Sequence, residues 1–267
     1  MRIAVDHRTQ YRFSEPQARI VQMLRLTPSD TMDQTVVSWH IGVDCDARLR
    51  DAYDGFGNKV TMLYAEGPIE ELEISVIGEV LTLEATGVIR GSAEPLPHLF
   101  YRRATPRTTP DAALAEFAGR VAKGDALNRL HELNAALHRR YPLVDDLPDK
   151  GLSAAQAFAR KTVTSRDAAQ IFLAAAHSLA IPARYITGYR TDGAAHSAPH
   201  AWAEAWIDRI GWIGFDPATG LSPDESYVRV AVGLDATGAA SIAGTRVGQG
   251  KEELDVDLHV DRLGGEE

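Results

Sequence analysis

Three polar residues follow one another in an order that acyl-transfer chemistry uses. Ser165 opens an apolar, helix-like run, His200 heads a tryptophan-rich, strand-like run, and Asp216 closes the next one. Serine, histidine and aspartate are the residue types of a nucleophile, a general base and the group that orients the base. A helix N-terminus adds positive potential where an oxyanion would develop. Each residue also has a plainer reading. Ser165 or Thr164 can be a helix cap, with Asp167 placed in the first turn by the helix dipole. His200 can be a hydrogen-bonded core histidine, Trp202, Trp206 and Trp212 core aromatics, and Asp216, just before Pro217, a turn residue.

Whether the three meet depends on the elements that carry them. The run from Ala168 to Leu179 is apolar nearly all round, which predicts a buried helix, and Pro182 lies just past its end. "ARYITGYR", "HAWAEAWI" and "GWIGFD" follow as strands. In the second of these, His200, Trp202, Glu204 and Trp206 share a face. A turn centred on Arg209 sets Trp206 opposite Trp212 and Asp216 opposite Trp202. His200 is then diagonal to Asp216, at roughly 7–8 Å between Cβ atoms and within side-chain reach. A loop with an even residue count would send Asp216 to the other face.

The N-terminal third reads as β structure. Ile3, Val5, His7, Thr9, Tyr11 and Phe13 fall on one parity, the period of a strand. "QTVVSWHIGVDC" and "NKVTMLYAE" flank the turn "DGFGN", "EELEISVIGEVLTLE" alternates again, and no helix is read through about residue 90. An antiparallel β-sandwich module over 1–92 is expected. Pro95, Pro97, Pro106 and Pro110 mark 93–110 as a linker. Residues 111–267 form the second domain. Its helices include one capped by Asp125, with Leu127, Leu130, Leu133, Asn134 and Leu137 as its inner stripe, and one opened by a Ser153/Gln156 capping box. Later strands are read at "YVRVAVG" and "EELDVDLHV".

Composition excludes some classes. A 267-residue chain with 45% hydrophobic and 24% charged residues can bury its own core without metal or disulfide staples. The formal charge of −9 opposes attraction to phosphate backbones or anionic lipid, so neither nucleic acid nor a membrane surface is an expected partner. The single cysteine, Cys45, stands between Asp44 and Asp46, whose charges would raise its thiol pKa, and it reads as structural. His196, His200 and Glu204 imitate a metal set, but they precede or begin a strand, where that spacing does not align ligands. No metal and no cofactor are expected. The N-terminus lacks the pattern of a signal peptide, and a cytoplasmic location is the default.

The segments around the three polar residues resemble the bacterial transglutaminase-like proteins of the papain-like cysteine protease superfamily. Family members carry "GVCQDFAH", "GIPARYVSGY" and "HAWAEVY…GWVGFDPT". This chain has "VTSRDAAQ" at 163–170, "AIPARYITGY" at 180–189, "HAWAEAW" at 200–206 and "GWIGFDPATG" at 211–220. The likeness extends to "HRTQYRF", "LRLTPS", "DGFGNKV" and "VRVAVGLD". It implies an α+β fold: an N-terminal antiparallel β-sandwich, then a transglutaminase-like α+β core with a C-terminal β extension. By position it makes His200 the base, Asp216 the orienting carboxylate and Ser165 the occupant of the cysteine nucleophile's place. Val163, Ala168 and Gln170 also depart from the family's glycine, phenylalanine and histidine, so the whole segment has diverged. A serine cannot rest as a thiolate and must lose its proton during attack. Two functions follow: an amide-bond hydrolase or acyl-transferase acting on a peptide or protein amide, or an inactive relative that keeps the fold as a peptide- or protein-binding module. Substrate identity and oligomeric state stay open.

Overall fold

The structure is a computed structural model that describes residues 1–145, 151–193 and 198–264. Two antiparallel sheets organise it. The first is built on two very long strands, β1 (Arg2–Leu24) and β4 (Lys59–Thr82), which pair along their length and break register between Arg12 and Arg19. On either side of that bend lie β2 (Gln34–Val43) and β3 (Ala47–Tyr53), each on a different half of β4. The two halves close on one another around Tyr11, Ile20, Leu24, Leu63, Leu72 and Ile74. Curled strands thus make both layers of the expected sandwich. The alternation read in β1 is real: Ile3, Val5, His7, Thr9 and Tyr11 are buried.

Two features of this sheet were not legible as separate strands. The runs "NKVTMLYAE" and "EELEISVIGEVLTLE" are one strand, β4, and the "DGFGN" turn joins β4 to β3 rather than to β2. Gly57 supplies that turn with φ of 82°.

The second sheet has five strands in the order β5 (Val88–Ile89), β8 (Gly211–Phe215), β7 (His200–Ile207), β6 (Ala183–Arg190) and β9 (Tyr227–Gly233). One face receives the helices α1 (Ala112–Val121), α2 (Ala126–Arg140), α3 (Ala154–Phe158) and α4 (Ser165–Ser178). Asp125 caps α2, and Ser153 with Gln156 makes the expected capping box on α3. Helix α1, capped by Asp111, is an addition to the three helices read from sequence. The Pro-rich segment before it includes a 3₁₀ turn, His98–Arg102, whose Tyr101 is fully buried against Trp212.

Alanine sets how closely helix and sheet approach. Ala168, Ala169 and Ala174 to Ala176 of α4 are buried, and Ala201, Ala203 and Ala205 of β7 belong to the same core. The other face of β7 buries Glu204 between Arg184, at 2.6 Å, and Arg229, at 2.7 Å. Arg184 also holds Glu94 of the Pro-rich segment at 2.7 Å. Paired this way, Glu204 stays ionised: burial pushes its carboxyl up, but the two guanidinium groups hold it below the usual range. Glu204 is therefore occupied structurally. His196 of the imitated metal set lies outside the described residues.

The chain's end returns to the first sheet. Strands β10 (Ile242–Val247) and β11 (Glu252–Leu263), which the sequence places with the second domain, both pair with β1. Leu258 and Val260 of β11 join Ile3 and Val5 in a shared core with Tyr189, Val228 and Val230 of the second sheet. Among the described residues no helix is long and apolar enough to cross a membrane.

Candidate active site

The hairpin between β7 and β8 fixes the first part of the site. Its loop holds Asp208, Arg209 and Ile210, and Arg209 takes φ of 70°. This odd count pairs Trp206 with Trp212 and Ala203 with Phe215. His200 and Asp216 therefore emerge on the same side, and His200 Nε2 donates to Asp216 Oδ2 at 2.8 Å. The carboxylate is fully buried, while the His200 side chain is 15% exposed. Gly188 lies opposite His200 on β6. A Cβ there would stand 2.1 Å from the Val228 carbonyl oxygen and 2.7 Å from the Trp202 ring, so glycine is what lets Trp202 pack beneath the histidine.

Asp216 is held from three sides. Tyr227 of β9 donates its hydroxyl to Oδ2 at 2.7 Å, and the Ala218 N–H donates to Oδ1 at 2.8 Å. Burial pushes the carboxyl pKa up, but His200 and these hydrogen bonds outweigh it and leave it below the ordinary aspartate value. Burial and the neighbouring carboxylate push the Tyr227 phenol well up, so it remains a donor. An ionised Asp216 accepts only, which requires the proton of a neutral His200 to sit on Nε2 and leaves Nδ1 as the basic atom. Tyr227 was not singled out from sequence. It sits eleven residues past Asp216 on a different strand, and no local pattern marks it.

Helix α4 supplies Ser165. The cap is Thr164: its Oγ1 accepts from the Asp167 N–H at 3.2 Å, and Asp167 Oδ2 accepts from the Thr164 N–H at 3.1 Å. Ser165 is the first helical residue, half-buried, and its hydroxyl is spared from capping. Its amide is among those at the helix start that lack an intrahelical acceptor. Ser165 and His200 line one hollow of about 240 Å³, together with Leu143, Arg190, Leu258 and Val260. Among the described residues, Ser165 Oγ accepts or donates no hydrogen bond to His200. Val163 is buried in the helical core, and Gln170 donates to the Leu152 carbonyl at 2.8 Å. Neither lines the hollow.

The remaining sequence candidates have structural surroundings. Trp202 and Trp212 are buried, and Trp206 stacks on His98 at 4.4 Å between ring centres. Cys45 lies in the turn after β2, where burial first, then Asp44 and Asp46, raise its thiol pKa.

Residues 3–81 match the bacterial transglutaminase-like N-terminal region, and residues 115–217 match the transglutaminase-like superfamily. The chain belongs to the bacterial transglutaminase-like family, with that family's N-terminal region preceding a transglutaminase-like core. It is similar to an uncharacterized protein of Mycobacterium leprae (strain TN), 28% identical over 98% of this chain and 99% of the relative. Another uncharacterized protein, from Mycobacterium tuberculosis (strain H37Rv), is 23% identical over 97% and 92%. Among solved structures, a candidate cysteine protease from Cytophaga hutchinsonii superposes with a TM-score of 0.79 at 17% identity, covering 100% of this chain and 92% of that one. The likeness at that identity shows the fold.

Proposed function

We propose that the chain is an amide-bond hydrolase or acyl-transferase acting on a peptide or protein amide, with Ser165 in the nucleophile's place. The observation that carries this reading is the division of labour at the start of α4. Thr164 takes the cap, which leaves Ser165 facing the hollow that holds the oriented His200. In the reaction, Ser165 Oγ attacks the carbonyl carbon while its proton passes to His200 Nδ1, and Asp216 stabilises the imidazolium that forms. The helix-start amide of Ser165 faces the developing oxyanion. His200 returns the proton to the leaving amine as the C–N bond breaks. Water or a second amine then releases the acyl group by the same path in reverse. A cytoplasmic setting goes with this reading.

A second reading, an inactive binding module, is favoured by one observation: Ser165 Oγ and His200 are not hydrogen-bonded at rest. Catalytic pairs are often looser without substrate. The Ser165→Cys variant separates the two. An intact site converts the thiol to a thiolate beside His200, giving fast alkylation by iodoacetamide near neutral pH and thiol-dependent cleavage of peptide anilides. A thiol that alkylates no faster than free cysteine, in a variant without turnover, would mark the binding module.

A further inference from the structure

A second hollow, of about 190 Å³, adjoins the first, and Ala198 lines both. Its walls come from parts of the chain that are remote in sequence. Thr9 and Tyr11 of β1 and Val256 of β11 stand on one side, with Tyr185 of β6, Pro199 and Ala236 on the other. Pro199 directly precedes His200, and Arg166, which also reaches the hollow, directly follows Ser165. The hollow is thus lined by a chain neighbour of each member of the reacting pair.

The lining offers little to a charged occupant. Among the described residues no carboxylate lines it. Both of its threonine hydroxyls are already used: Thr187 donates to the Ala239 carbonyl at 2.8 Å, and Thr9 bonds His7 Nε2 at 3.1 Å. His7, whose Nδ1 bonds the Tyr189 hydroxyl at 3.1 Å, is buried and uncharged at neutral pH. The charge of Arg166 is offset by Asp167 and Asp145. Much of the remaining lining is apolar, from Ala198, Pro199, Ala236, Ile242, Leu254 and Val256. An apolar cavity of roughly 150 Å³ already admits a benzene ring.

We propose that this hollow is a subsite for an uncharged aromatic or branched aliphatic side chain flanking the scissile amide, so that the N-terminal β module takes part in substrate recognition. The inference rests on Ser165 and His200 being the reacting pair, and its test is built to fail separately. Binding of N-acetyl-phenylalanine amide to the full chain carrying Ser165→Ala, followed by calorimetry, reads the subsite without turnover. Saturable binding is expected, with N-acetyl-alanine amide at least about tenfold weaker. That preference should vanish in Val256→Trp and in Ala236→Phe, which fill the hollow from opposite walls. Circular dichroism identifies which of the two folds, and either one suffices.

In parallel, kcat/KM is measured for two N-acyl peptide coumarin amides differing only in phenylalanine or alanine beside the cleaved bond. A ratio near ten or above in the native chain, falling toward one in the filled variants, supports the subsite. Discriminating binding without any turnover would keep the subsite and remove the catalytic reading. Turnover at equal rates, absence of saturable binding, or equal preference in native and filled chains overturns the subsite.

Discussion

Asp216 uses its two oxygens for different tasks. Oδ1 accepts from the Ala218 N–H and holds the turn, while Oδ2 accepts from both His200 and Tyr227. Asparagine has no arrangement that satisfies all three donors: an amide nitrogen at either position confronts an N–H or O–H. In Asp216→Asn we therefore expect kcat to fall roughly 10³–10⁴-fold, as the imidazole loses the tautomer that leaves Nδ1 basic. Tyr227→Phe removes one bond to the carboxylate and is expected to cost about 1.5–3 kcal/mol of stability in chemical denaturation, with a smaller effect on rate. A third titratable residue answers to pH. Burial holds His7 down to about 4 from 6.5, so the unfolded chain takes up a proton first as pH falls. Stability is expected to drop by about 3 kcal/mol between pH 6.5 and 4 and to level off below, with His7→Gln flattening that slope in urea titrations. The pairing of His200 with Asp216 was legible only as far as strand parity; the odd loop count on which it depends comes from the turn at 208–210 in the structure. Tyr227 was not legible, since β8 and β9 follow one another in sequence but are not paired in the sheet, so strand pairing does not predict their contact.

The opening of α4 illustrates what sequence leaves undecided at the next level. Thr164 and Ser165 both carry a hydroxyl, both stand near Asp167, and a shift of one residue in the helix start exchanges their roles. Only the backbone settles it, with Thr164 extended at φ −83° and ψ 168° and closing the capping box. Thr164→Val should lower stability by about 1–2 kcal/mol in thermal or chemical unfolding. It should also reduce activity, because a frayed first turn moves Ser165 and its amide. Helix α1 carries a local signal in its sequence: Asp111 as cap, then Leu114, Phe117 and Ala118 at inward-facing spacing. Strand β10 had none, since Ile242–Val247 is half polar and gains its place only by pairing with β1.

Long-range closure governs the molecule as a whole. The last strands pair with the first, so β1 is covered by β4 on one side and by the late strands β10 and β11 on the other. Local periodicity reports that β11 is a strand, but not which sheet receives it. Leu258 is 1% exposed in the core shared by the two sheets, and it also lines the hollow beside Ser165. Leu258→Ala is expected to cost about 2–5 kcal/mol in denaturant unfolding. The Glu94–Arg184–Glu204–Arg229 network ties the Pro-rich segment to the second sheet. Glu204→Ala, which leaves two guanidinium groups facing a vacated site, should cost about 3–5 kcal/mol, most of it the penalty of uncompensated charge. On the proposed reading, the first sheet, whose Leu258 and Val260 line the hollow beside Ser165, belongs to the working unit.

One reaction interrogates the hydroxyl directly. Incubating the native chain with a fluorophosphonate and mapping the adduct by mass spectrometry should place a single modification on Ser165, absent from Ser165→Ala and strongly slowed in His200→Ala. A native chain that stays unlabelled at Ser165, or labels there equally fast without His200, would contradict the assignment of Ser165 as a base-activated nucleophile.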